Sequence, residues 1–77
     1  MTANLLTEKD FDQLSRAMAS GQEISLTRTL GALTVTASTA RALPVWECDM
    51  LVRLERSCGC VYSSQYFRSV EEMMQYI

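Results

Sequence analysis

Residues 24–38 read ISLTRTLGALTVTAS, two runs in which apolar residues alternate with hydroxyl side chains on either side of one glycine. Ile24 and Leu26 share one face, with Ser25 and Thr27 on the other. Leu33, Val35 and Ala37 alternate with Thr34, Thr36 and Ser38. A period of two in Thr- and Val-rich segments is the pattern of half-buried β-strands. Leu30-Gly31-Ala32 lies between the runs, so the stretch predicts a β-hairpin that turns at Gly31. This reading decides the fold, because the pattern on its amino-terminal side has a different period.

Upstream, Phe11, Leu14, Ala17 and Met18 recur at helical spacing. Thr7 with Asp10 three residues on forms a capping box in which Asp replaces the usual Glu. Leu6 and Phe11 stand at the two positions of a hydrophobic staple, and Gly21 supplies the stop. A helix is predicted over Glu8 to Ser20. Downstream, Pro44 holds Leu43 extended and marks the entry to WECDMLVRLER. There Trp46, Cys48, Met50, Val52 and Leu54 fall on one face, and Glu47, Asp49, Leu51, Arg53 and Glu55 on the other, as in a half-buried antiparallel strand.

CVYSSQYF is its partner strand, with Cys60, Tyr62, Ser64 and Tyr66 opposite in sense to Val61, Ser63, Gln65 and Phe67. The chain closes with Ser69 and Glu72 as a second capping box, and with Val70, Met73, Met74 and Ile77 as a helical stripe. The expected architecture is one α+β domain over residues 1–77: helix, four-stranded antiparallel sheet, C-terminal helix (α-β-β-β-β-α).

The motif RSCGCVY at residues 56–62 raises the question of a metal or redox site. A structural zinc site needs four ligands, and the chain offers Cys48, Cys58 and Cys60 with no histidine at all. Redox cysteines of the thioredoxin kind use C-x-x-C at a helix start, whose amides lower the thiol pKa; here the pair falls between two strands. The reading preferred is a turn at Ser57-Cys58-Gly59, with Cys48 and Cys60 as small buried hydrophobes. No metal and no cofactor are expected.

Enzymatic chemistry finds little footing. Without histidine, the commonest general base is absent. Asp10 with Asp12 and Glu71 with Glu72 sit in first helical turns, where the dipole favours acids. Glu47 and Asp49 read as the solvated side of a strand. Gly21, Gly31 and Gly59 lie too far apart for a phosphate-binding loop. No catalytic residue is assigned.

With nine acidic and seven basic residues the net charge is −2, which does not favour a nucleic-acid backbone. Tyr62, Tyr66 and Arg68 keep a single-stranded nucleic-acid module as the alternative. No apolar run reaches the roughly 18 residues that a bilayer crossing needs. The opening MTANLLTEKDFDQ has no basic region of the secretory type. A cytoplasmic protein is expected, without membrane contact.

Six of the seven basic residues are arginine, the cation enriched at protein interfaces. An Arg/Leu/acid mixture on an open sheet face reads as a partner-binding patch. The candidates are Leu51, Arg53, Glu55 and Arg56, with Arg28 and Arg41 beside them. A free strand edge and a Met-rich terminal helix equally permit a homodimer.

The small size, mild acidity, lack of a catalytic set and the ending YFRSVEEMMQYI resemble the very small proteins of bacteriophages and mobile elements, anti-CRISPR proteins among them. That resemblance implies a non-enzymatic inhibitor or adaptor. Such a protein docks on a CRISPR-Cas or other nucleic-acid-processing complex and blocks it by occlusion. The element order is also similar to that of the double-stranded RNA-binding domain. Ser69-Val70-Glu71-Glu72 stands where that family starts its second helix with basic residues, so that reading is rejected.

Overall fold

The computed structural model describes residues 5–42 and 49–76. Its elements are α1 (Glu8–Ser20), β1 (Ser25–Leu30), β2 (Leu33–Arg41), β3 (Met50–Cys58), β4 (Val61–Phe67) and α2 (Val70–Tyr76). The four strands form one antiparallel sheet in the order β1-β2-β3-β4. This is the α+β order the sequence predicts.

Helix α1 starts and stops as its caps dictate. The Thr7 hydroxyl accepts from the Asp10 backbone N–H at 3.3 Å, and the Asp10 carboxylate accepts from the Thr7 N–H at 3.0 Å. At the far end Gln22 N–H reaches the Ala17 carbonyl at 2.9 Å and Gly21 N–H the Met18 carbonyl, the pairing of a Schellman motif. Phe11, Leu14 and Ala17 turn one buried face to the sheet.

Residues directly opposite one another across a ladder share a face, so the registers sort every strand position. Toward the helices lie the rows Thr39–Val52–Phe67, Leu26–Ala37–Leu54–Gln65 and Arg28–Val35–Arg56–Ser63. Their apolar members join Leu6, Phe11 and Leu14 from the α1 side, and Val70 and Met73 from α2, in one core. Thr39 is a buried polar residue of β2 on this side. Its hydroxyl donates to the Gln22 carbonyl at 2.7 Å and accepts from Ile24 N–H at 2.9 Å, tying the α1–β1 connection to β2.

Both hairpins use two-residue turns, Gly31-Ala32 and Gly59-Cys60, with φ of 61° and 60° at the glycines. Only the first turn residue is left-handed, as in type II′ turns, which Gly satisfies without steric cost. The expected turn at Ser57-Cys58-Gly59 is therefore corrected: β3 runs on through Cys58, and the chain reverses at Gly59-Cys60. Cys60 is exposed at that corner rather than buried.

The expected entry to the third strand, Leu43 to Cys48, lies outside the described residues, and β3 as described begins at Met50. Helix α2 is also narrower in its contacts than its sequence stripe. Val70 and Met73 are buried while Met74 is exposed, and Ile77 lies outside the described residues. A helix of two turns at one end of a sheet covers a single strip, and Met74 falls beyond it.

Candidate partner-binding face

The sheet face away from both helices carries three complete rows: Ser25–Ser38–Arg53–Tyr66, Thr27–Thr36–Glu55–Ser64 and Thr29–Thr34–Ser57–Tyr62. Its β1–β2 half is lined with hydroxyls. Thr27 and Thr36 meet at 3.1 Å and Thr29 and Thr34 at 3.4 Å, cross-strand pairs that stiffen the surface. Its β3–β4 half carries the charges.

There Arg53 is fixed by four neighbours. Its Nε donates to the Ser64 hydroxyl at 3.1 Å and its Nη2 to the Tyr62 hydroxyl at 3.3 Å. Nη2 also stands 3.4 Å from Glu55 Oε2, and the guanidinium lies 5.7 Å from the Tyr66 ring centre. The Tyr62 hydroxyl in turn donates to Glu55 Oε2 at 2.6 Å. The Tyr62 oxygen first, opposed by desolvation, and then the Glu55 charge raise the Arg53 pKa above its ordinary value. An arginine guanidinium is always charged, and these contacts hold this one in a set position. Tyr62 and Tyr66 remain 58% and 51% exposed, so about half of each side chain is accessible to a partner.

The predicted patch is divided by the fold. Arg53 and Glu55 share the open face. Leu51 points the same way but is buried at 3% exposure, so its expected place on an exposed surface is corrected. Arg56 belongs to the opposite face, where its guanidinium lies 5.3 Å from the Tyr76 ring centre.

Arg28 also faces the helices. It donates through Nη2 to Asp10 Oδ1 at 2.6 Å, which places it in the architecture of the helix start. Arg41, at the end of β2, makes a long 3.8 Å pair with Glu23, and both side chains are largely in solvent.

Tyr62 and Tyr66 are the residues sequence reasoning failed to attach to Arg53. The signal was present. A two-residue turn at Gly59-Cys60 sets Cys58 opposite Val61, and counting back places Tyr66 beside Arg53 and Ser64 beside Glu55.

Among the described residues no group of three or more His, Cys, Asp or Glu converges. No helix there is long and apolar enough to cross a membrane. No family model, curated protein or solved structure matches the chain.

Proposed function

We propose that this chain is a non-enzymatic protein-binding module, an inhibitor or adaptor that presents the open face of its sheet to a protein partner. The observation that carries the reading is the Arg53–Glu55–Tyr62–Tyr66 cluster, a pre-positioned cation flanked by two half-exposed tyrosines. Arg and Tyr are the side chains over-represented among residues that dominate interface energy. Their geometry is already set in the free chain, which lowers the ordering cost of binding. Within the paired strands Arg53 and Glu55 are the charges of this face and offset one another. A near-neutral, hydroxyl-rich surface suits a polypeptide better than a phosphate backbone. Occlusion of a bacterial defence complex, as in anti-CRISPR proteins, is the finer form of this proposal and rests on the resemblance in size and composition.

The test is affinity capture from nuclease-treated bacterial lysate with the wild-type chain and with Arg53→Ala and Tyr66→Ala. The expectation is one protein complex retained near stoichiometry, with affinity falling about 30-fold in either variant, the loss of a ~2 kcal/mol anchor. Capture unaffected by both substitutions would remove the open face from consideration.

A second reading has an observation of its own, the common face of Tyr62 and Tyr66, on which unpaired bases could stack. It predicts oligonucleotide binding that weakens steeply with salt.

A further inference from the structure

The two edges of the sheet are unlike. Natural edge strands are blunted against self-pairing by charges, proline, bulges or inward-pointing ionic side chains. The β1 edge has such a device in Arg28, which points to the helix side and is paired with Asp10. The β4 edge, VYSSQYF, has no charge, no proline and no bulge, and its register with β3 is unbroken from Cys58↔Val61 to Val52↔Phe67. Val61, Tyr62 and Tyr66 on this strand are exposed, as is Tyr76 of the helix that follows it. Among the described residues, most of the large apolar side chains left in solvent thus lie on this strand or on the helix that follows it.

This strand is also self-complementary. Reversed about Ser64, VYSSQYF places Val61 against Phe67, Tyr62 against Tyr66, Ser63 against Gln65 and Ser64 against itself. The backbone agrees with the side chains. In a two-residue hairpin the residues flanking the turn, Cys58 and Val61, form a hydrogen-bonded pair, and such pairs alternate along the ladder. Val61, Ser63, Gln65 and Phe67 thus spend their N–H and C=O groups on β3, whereas those of Tyr62, Ser64 and Tyr66 point outward. A two-fold axis at Ser64 joins these same three residues to their counterparts as hydrogen-bonded pairs.

We infer that two copies of the chain associate through antiparallel β4–β4 pairing centred on Ser64, closing the open edge and extending the sheet to eight strands. The inference stands on the edge strand and is independent of the partner proposed for the open face. It has a consequence for that face. Tyr62 of the second copy lies beside Tyr66, so each Arg53 cluster acquires a neighbouring aromatic, and two clusters flank the axis on one continuous surface. On the helix side, Val61 of the second copy meets Phe67, whose ring already lies 5.2 Å from that of Tyr76. This covers a valine that is 71% exposed in the single chain.

The experiment is sedimentation velocity of the purified full chain, alone, at high micromolar concentration. The expected mass is twice the 8.7 kDa of the chain. Ser64→Lys and Ser64→Glu each set like charges face to face on the axis, and each should sediment as a monomer, whereas mixing the two should restore a one-to-one dimer.

Ser63→Cys together with Gln65→Cys, with Cys48, Cys58 and Cys60 replaced by serine, should form interchain disulfides on mild oxidation. These two residues face one another across the axis as a non-hydrogen-bonded pair, with Cα atoms about 4.5 Å apart, within the range of that bond. A monomeric wild type overturns the inference, and so does a dimer that both charged variants leave intact. Should the charged variants fail to fold, the disulfide decides, and its absence overturns the inference. No partner is present in these measurements, so failure here leaves the open-face reading standing, and failed lysate capture leaves the dimer standing.

Discussion

Removing the Asp10 side chain tests whether Arg28 is structural or free for a partner. Asp10 is 4% exposed and does two things at once. It accepts the Thr7 N–H in the capping box, worth about 1 kcal/mol. It also accepts a charge-assisted bond from Arg28 across 18 residues of sequence. The Arg28 side chain keeps 42% of its surface in water, so this bond is discounted from the usual charged range to about 1 kcal/mol. Asp10→Ala should therefore cost about 2 kcal/mol, which lowers the thermal midpoint of a domain this small by roughly 10 °C. Asp10→Asn keeps an acceptor oxygen and should lose about 1 kcal/mol, the charged part alone.

Because Arg28→Ala strands a buried carboxylate, the Asp10→Asn/Arg28→Ala double variant should cost about 1 kcal/mol less than the two singles together. The pH dependence fixes the sign. The Thr7 N–H, opposed by burial and aided by Arg28, holds the Asp10 carboxyl below its ordinary value. The stability it contributes is complete above the unfolded carboxyl value near ~4, and is lost as pH falls through the lower folded value. Urea unfolding followed by circular dichroism, at neutral and at acid pH, measures all of this. An Asp10→Asn deficit that persists unchanged in acid, or strict additivity in the cycle, would refute the reasoning and release Arg28 to other roles.

Met73 is fully buried, and Met73→Ala should cost about 2–5 kcal/mol, comparable to the whole stability of so small a core, leaving the chain substantially unfolded by circular dichroism. Met74→Ala, one residue on and exposed, should stay within about 0.5 kcal/mol. A Cβ added at Gly59 meets nothing within 4 Å, so Gly59→Ala should cost only the left-handed backbone, about 1–2 kcal/mol. Asn at the same position should cost less, and equal midpoints for the two would mean that the turn changes type. Serine at both Cys58 and Cys60, which are exposed, should shift stability by no more than about 0.5 kcal/mol and leave partner capture intact. Loss of capture in that variant would reopen a thiol-based function.

Much of the architecture was legible because it is written in local chemistry. Thr7 with Asp10, Gly21, and Ser69 ahead of Val70 each satisfy backbone groups within a few residues of themselves, so helix limits could be placed from sequence alone. Alternation in 24–38 identified the strands because period two follows from the pleat. The glycines at 31 and 59 marked the turns, although the corner expected at Ser57-Cys58-Gly59 lies at Gly59-Cys60.

The candidate site was less legible, for a physical reason. Which residues share a face depends on register across strands, and register depends on where a turn begins. Arg53 and Arg56 were expected in one patch, yet an odd separation along a strand sends two side chains to opposite faces.

The sequence by itself determined the order of elements, the caps, and which strand positions alternate. Only the tertiary structure decided which cations are spent. It set Arg28 against a carboxylate 18 residues away and Arg56 over an aromatic ring of the last helix, and left Arg53 between two half-exposed tyrosines on the open face. Those pairings are made across elements, where distance in space is independent of distance along the chain.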